Sequence, residues 1–544
     1  MFINSNPKDF LTRFRKDEDG GMIIFSLYLF VMMLAIGGMA VDLMRFETAR
    51  AQLQSCTDTA LLAAADLDQG NDPATVFNDY MDKCGMSDFV QTGSPVVVEG
   101  INYRSVTADA TIELPTLFMN MMGITQLDAP STGTAIESVS EVEISLVLDI
   151  SGSMGWASNT GTTTKLEELQ AAANLFVDMI YQRSDPDEVS ISIIPYSTQV
   201  ALPPNLLDQY NVTRGHNYSS CVNFDYDDFN TVSLPTNQAL EHTQHFAPWG
   251  KYGPVRYDHY NRSYVCRPEA ASAILPMSGD PDVLKAHINA LTPGGNTSID
   301  IGVKWGVALL DPSAQPAINA LIANNEVNSV FSGRPYTVAS GQSMKIVIVM
   351  TDGKNTTQYM LDDTLRGSMS DVYEDPVSGH YFVDSDEEGH RDGDGIPDER
   401  WFYPRAERYG WGNQWRRDWE VPANLRQLPY SELMNEVTMQ YNADYHYGRQ
   451  HDWSSDYNSQ YNNILETVNA GTKNSRLDDI CDVAKSDPNN MVVYTIGFEV
   501  DDPSAAVMAD CASSASHFYR VGGPEIMDAF QSIARQVNEL RLVQ

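Results

Sequence analysis

Asp149, Ser151 and Ser153 stand at alternate positions directly after the apolar run Ile144–Leu148. A carboxylate and two hydroxyls at that spacing offer three oxygen ligands from a single strand-end loop. Hard divalent cations such as Mg2+ take oxygen ligands and keep some of their waters. An open α/β sheet collects its ligands just beyond the carboxyl ends of its strands, which is where this stretch lies. The residues that other metal chemistry needs are differently placed. The chain has no H-E-x-x-H and no G-x-S-x-G, and His242-x-x-His245 is too short a spacing for a zincin helix. Catalytic Zn2+ favours His-rich ligands, whereas this stretch is hydroxyl and carboxylate.

The elements that must position these oxygens read as alternating strands and helices from Val142 onward. Ile144–Leu148, Val189–Ile194, Lys345–Met350 and Met491–Phe498 are nearly continuous in Val, Ile and Leu, as parallel strands covered on both faces should be. Helical patterns fall at Lys165–Gln182, Pro281–Leu291, Ser298–Leu310, Pro503–Ser513 and Pro524–Leu540. In the first, Leu166, Leu169, Ala173, Phe176 and Ile180 form one apolar face. The alternation predicts an α/β fold with a doubly wound, mostly parallel sheet. The pattern Asp-x-Ser-x-Ser after an apolar strand resembles the metal-ion-dependent adhesion site of von Willebrand factor A (VWA) domains. Such a site also needs a Thr in a Gly-rich loop and an Asp after another strand. Gly294-Gly295-Asn296-Thr297 and Thr351-Asp352-Gly353 supply them. The resemblance implies that Asp149, Ser151, Ser153, Thr297 and Asp352 hold Mg2+ (or Mn2+), with a place left for a partner's carboxylate.

Two long insertions interrupt this frame, at about 201–275 and 354–479. Structureless loops of that length are improbable in a compact domain, so both are expected to fold against it. The second carries Trp401, Trp411, Trp415, Trp419 and Trp453. These either serve protein or glycan recognition or form the insertion's own core. It also carries Asp384, Asp386, Asp392, Asp394 and Asp398 among glycines, a stretch resembling Ca2+ loops of the EF-hand-like and thrombospondin type 3 kind. With Gly395 at the sharp turn, His390 takes the usual first ligand position and Trp401 stands where a Glu is usual. A second register uses Asp384, Asp386, Glu388 and Asp392 with Gly389 at the turn. The resemblance implies Ca2+, and a solvated acidic loop is the alternative.

At the other end, Met22–Val41 is an uncharged apolar run of twenty residues, enough to span ~30 Å of hydrocarbon as a helix. A signal peptide would have a shorter apolar core and a small-residue cleavage site; here the helical pattern simply continues, so the run reads as a retained anchor. Arg13, Arg15 and Lys16 precede it, so the positive-inside rule places residues 1–21 in the cytoplasm and the rest outside. Apolar positions from Leu43 to Leu67 continue one helical face. The basic patch, Gly20-Gly21, the apolar span and Leu53-Gln54-Ser55-Cys56-Thr57-Asp58-Thr59-Ala60-Leu61-Leu62-Ala63-Ala64-Ala65 together resemble the N-terminal segment of TadE/TadG-like proteins of tight-adherence (Flp) pilus systems. Type IV pilins carry a Glu five residues after the cleavage Gly; here Ser26 or Phe25 stands there, so prepilin-type processing is not expected. The domain reading is a cytoplasmic 1–21, a span at 22–41, a helical stalk at 42–70, a small β-containing connector at 71–140 and a VWA domain at 141–544. Within the connector, Val96–Val98 and Val106–Ile112 read as strands, Thr116–Met122 as a short helix, and Ala129–Ser138 as a small, polar stretch.

With 73 acidic and 35 basic residues the net charge is −38, which argues against nucleic-acid binding. Cys56, Cys84, Cys221, Cys266, Cys481 and Cys511 form no C-x-x-C. An even number of scattered Cys fits disulfides in an oxidising compartment. Pairing of sequence neighbours would give 56–84, 221–266 and 481–511, with free thiols as the alternative. The function expected is that of a non-enzymatic, inner-membrane-anchored, metal-dependent protein-binding module in Flp pilus assembly or anchoring, exposed to the periplasm or beyond. A free-standing surface adhesin and a periplasmic metal-dependent hydrolase are the other two readings.

Overall fold

The structure is a computed structural model that describes residues 12, 19–66, 71–100, 103–138, 141–182, 184, 186–255, 262–337, 343–384, 401–404, 414–416, 421–448, 450 and 453–543. It divides into two compact units, Met1–Val139 and Ser140–Val543.

The first unit is built on one helix, α1 (Asp19–Ala65), of 47 residues. At ~1.5 Å per residue it is roughly 70 Å long. From Met22 to Met44 its large apolar side chains are mostly exposed, whereas Leu53, Ala60, Leu61 and Ala64 are buried. One helix therefore has two environments: an apolar length left mostly exposed by the described residues, and a length packed on a sheet. That sheet is an antiparallel meander of β1 (Val96–Gly100), β2 (Tyr103–Pro115) and β3 (Gln126–Ser138). The strand β3 contains the stretch that reads as small and polar in sequence. Its small residues are the reason it can form: Ala129, Ser131 and Ala135 are buried, and a Cβ on Gly133 would lie 2.7 Å from Leu61 Cδ1. The helix rests so close to the strand that larger side chains would push it away. A second helix, α2 (Pro73–Lys83), closes this core with Phe77 and Met81 and is tied to α1 by Cys56–Cys84.

The second unit is organised by a six-stranded sheet. Its strands are β4 (Glu141–Asp149), β5 (Val189–Tyr196), β6 (Leu275–Ser278), β7 (Ser343–Thr351), β8 (Val492–Phe498) and β9 (Phe518–Val521), in the order β9-β8-β7-β4-β5-β6. All neighbours run parallel except β6, which pairs antiparallel with β5 at the edge. Successive residues of a strand face opposite sides, and each side meets helices. Leu146, Leu148, Ile346 and Ile348 pack with Phe176 of α3 (Lys165–Tyr181), Leu284 of α4 (Pro281–Ala290) and Phe530 of the C-terminal helix Glu525–Val543. Val147, Val347 and Val349 pack on the other side with Trp305 of α5 (Ile299–Ala308) and Leu477 of α6 (Ala470–Lys485). Helix α5 is buried on every side, and Gly306 lets it press onto β4: a Cβ there would lie 2.7 Å from Val147 Cγ2.

The described residues of both insertions are folded. The first contributes Phe224, Phe229 and Leu234 to the core around Trp305, and Cys221–Cys266 staples it, with Cα atoms 5.8 Å apart. The second has its own five-stranded antiparallel sheet and a core of Val372, Val383, Phe402, Leu428 and Leu433. Trp401 belongs to that interior, edge-on to Tyr373 at 5.0 Å. Trp411 and Trp419 lie outside the described residues, and Trp415 and Trp453 are described by backbone alone. Cys481–Cys511 links α6 to the helix Asp502–Cys511.

Candidate metal centre

Strands β4 and β7 are parallel neighbours in register, so their carboxyl ends emerge side by side. Asp149 closes the first and Asp352 follows Thr351 at the end of the second. The Asp149 carboxylate is fully buried. One of its oxygens accepts from the Ser151 backbone N–H at 2.7 Å and the other from the Thr351 hydroxyl at 2.8 Å. The Ser151 and Ser153 hydroxyls are 3.1 Å apart, and Ser153 donates to Asp352 Oδ1 at 2.7 Å. Asp149, Ser151, Ser153 and Asp352 thus lie on one polar chain across two strand ends.

Thr297 enters through its backbone. Its N–H donates to the Thr356 hydroxyl at 2.9 Å, and its carbonyl accepts from Thr356 N–H at 3.0 Å and from Lys473 Nζ at 2.7 Å. The Gly294–Asn296 loop before it is tied to the Asp149 loop: Gly294 N–H donates to the Ile150 carbonyl at 2.8 Å, and Gly152 N–H to the Gly295 carbonyl at 2.9 Å. Gly295 has φ +83°, and a Cβ there would lie 2.9 Å from the Thr198 hydroxyl. Both conditions demand glycine. The three loops therefore form one surface at the strand ends, with Thr297 buried in it.

The electrostatics of the site are dominated by two neighbouring carboxylates, one of them fully buried. Burial pushes the Asp149 carboxyl up to about 7, the Asp352 carboxylate adds to the rise, and the hydrogen bonds from Ser151 and Thr351 oppose it. Two carboxylates this close resist being ionised together. A divalent ion relieves that resistance, and the donors are all oxygen, the kind Mg2+ and Mn2+ take. The residues present fit such an ion.

Several members of the site carry no signal in the sequence. Lys165, the first residue of α3, brings Nζ to 3.0 Å from Asp352 Oδ2 and 3.8 Å from Glu499 Oε2. It is held there by a capping box between Thr164 and Glu167. Glu499 has φ 55°, a conformation that costs a non-glycine residue energy, and accepts from Asn159 N–H at 2.8 Å and Gly523 N–H at 3.2 Å. Asn355 Oδ1 accepts from Ile299 N–H at 2.8 Å, satisfying the start of α5. Lysine at a helix start and glutamate after a strand are ordinary residues at ordinary places; only the fold makes them neighbours.

Asp384 ends the strand Tyr381–Asp384, opposite Trp401, and Asp386, Asp392, Asp394 and Asp398 lie outside the described residues. His242 and His245 do not lie on a helix; they stack with His216 and Tyr264 inside the first insertion, at 4.1 and 4.3 Å respectively.

Comparison with solved structures gives distant likenesses. The vWF domain of the type V pili tip protein Mfa5 from Porphyromonas gingivalis is 14% identical, with 75% of this chain and 97% of that chain covered and a TM-score of 0.32. The pilus adhesin SpaC from Lactobacillus rhamnosus GG is 10% identical, with 82% and 34% covered and a TM-score of 0.29. A von Willebrand factor type A protein from Catenulispora acidiphila is 10% identical, with 82% and 51% covered and a TM-score of 0.25. No curated protein matches the chain. Residues 20–67 are similar to the family model described as putative Flp pilus-assembly TadE/G-like.

Proposed function

We propose that this protein is a membrane-anchored binding module of a tight-adherence pilus system, and that its second unit grips a protein partner through a divalent metal. The observation that carries the reading is the polar chain from Asp149 through Ser151 and Ser153 to Asp352, at the carboxyl ends of two adjacent parallel strands. A frame with helices on both faces of the sheet supports its interpretation as a doubly wound VWA domain. Asp149, Ser151, Ser153, Thr297 and Asp352 would hold Mg2+ or Mn2+. The ion supplies a coordination place for a carboxylate of the partner. What the chain itself supplies is orientation: the Ser151 N–H and the Thr351 hydroxyl fix Asp149, and Ser153 fixes Asp352. In this reading the site's groups serve binding. The TadE/G-like match and the apolar helix support placement in the inner membrane as part of this reading. Ca2+ at the acidic loop is part of the proposal on its sequence alone.

The test is a thermal melt of the full-length protein in detergent across a Mg2+ titration. A ligand that binds only the folded state raises the melting temperature by mass action. The wild type should rise with Mg2+, and Asp149→Ala and Asp352→Ala should keep their fold but lose the increment. Absence of any response up to millimolar Mg2+ in the wild type would sink the metal reading.

A further inference from the structure

The loop between β2 and β3 presents an apolar tip. Leu117, Phe118, Met121, Met122 and Ile124 are 62, 40, 85, 58 and 41% exposed, and residues 116–125 contain no charge. A soluble domain rarely leaves so many large apolar side chains together in water. The tip is nonetheless well formed. Met119–Met122 is a turn of 3-10 helix closed by Gly123 in the left-handed conformation, with φ 89°.

Its position is set by α1. The Asp42 carboxylate, buried, accepts from the backbone N–H groups of Leu117 at 3.0 Å and of Phe118 and Met119 at 2.8 Å. One turn earlier, Phe118 lies against Gly38 so closely that a Cβ on Gly38 would be 2.5 Å from it. Asp42 is the first charged residue after the apolar run of α1, and Arg45, Glu47 and Arg50 follow it. The loop is therefore clamped at the level where the apolar surface of the helix stops, and its exposed side chains continue that surface sideways.

We propose that the tip Leu117–Ile124 is a second membrane contact, lying in the lipid interface beside the outer end of the span. Lipid is the occupant that accounts for both features: the absence of charge in the tip, and its level with the apolar part of the same helix. Met side chains suit such a surface because they adapt to irregular apolar surroundings. The clamp at Asp42 then fixes how deep α1 sits. The inference rests on the reading of α1 as a membrane anchor.

The test uses single spin labels on the full-length protein in phospholipid vesicles. All six native cysteines are paired, so Met121→Cys, Val41→Cys and Leu62→Cys can each be labelled alone. Collision with oxygen reports lipid, and collision with a water-soluble nickel chelate reports water. The Met121→Cys label should match Val41→Cys, rich in oxygen and poor in nickel collisions, with Leu62→Cys open to nickel. If Val41→Cys is lipid-exposed and Met121→Cys open to water, the tip proposal is overturned and the anchor stands. If Met121→Cys is shielded from both reagents, protein covers the tip and the proposal is likewise overturned. If Val41→Cys itself is open to water, the anchor reading fails and takes the proposal with it.

Discussion

At the proposed metal centre, Lys165 is the side chain that would compete with a bound cation. Its side chain is 11% exposed, against 0% for Asp352 and 5% for Glu499. Charges so shielded from water interact strongly. An ammonium 3.0 Å from Asp352 Oδ2 and a divalent ion on the same carboxylate would repel, so the two compete. Glu499, held by Asn159 and Gly523, gives Lys165 a second partner once an ion draws Asp352 away. Replacing Lys165 by Gln should therefore tighten Mg2+ binding about tenfold, ~1.4 kcal/mol, and calorimetric titration of the full-length variant measures it. Glu499→Gln should weaken binding, since Lys165 then keeps a single carboxylate partner. A Lys165→Gln protein that binds Mg2+ more weakly than the wild type would mean that the lysine positions Asp352 and does not compete for it.

At the scale of elements, the histidines of the first insertion make its stability depend on pH. Burial pushes His242 down to about 4 and His245 down to about 3, and the neighbouring His216, with its own value lowered by burial, adds to both. Arg366 from the second insertion and Arg214 also face His242, while Asn435 opposes the shift at His245. An imidazole whose folded value is depressed stays neutral in the fold but takes up a proton when unfolded. Its contribution is fully present above the ordinary value near 6.5 and is lost as pH falls toward the folded value. The melting temperature should therefore drop between pH 7 and pH 5. Acid also relieves the net charge of −38, which works the other way, so the comparison that isolates the effect is His245→Gln, whose melting temperature should fall less steeply. Equal slopes would remove the histidines from the account. The strands and helices of the sheet were readable because long Val, Ile and Leu runs and 3.6-residue apolar faces leave few other structures. The strand β3 was not, because its inward residues are small for the sake of the helix above them, and small residues give no apolar alternation. The edge strands Leu275–Ser278 and Phe518–Val521, four residues each, are too short to show a period. In the centre, Asp149, Ser151, Ser153 and Asp352 could be picked out because they immediately follow strands. Lys165 and Glu499 could not, since what brings them in is tertiary packing.

For the molecule as a whole, the side of the membrane on which the second unit lies has the largest consequence for the proposed role. Two independent physical constraints agree. Arg13, Arg15 and Lys16 precede the apolar run within ten residues of Met22, and basic residues flanking a span stay in the cytoplasm. All six cysteines are joined, as Cys56–Cys84, Cys221–Cys266 and Cys481–Cys511, and such bonds persist in oxidising compartments and are rare in the cytosol. The first pair falls in the first unit and the other two in the second, so both units carry the same requirement. A net charge of −38 adds that an exported chain would arrive as a strongly anionic surface, able to concentrate divalent cations near the proposed metal centre. The expected result is that alkaline phosphatase fused after Gln544 of the full chain is active, while a green fluorescent reporter exported in an unfolded state stays dark at the same position. Reversing the charge at Arg13, Arg15 and Lys16 should lower the phosphatase signal by weakening the orientation signal. Non-reducing peptide mapping of protein from the same cells should recover the three cross-linked pairs. A fluorescent C-terminal fusion together with six thiols open to alkylation would place the second unit in the cytoplasm, and the exported, partner-gripping role would then have to be given up.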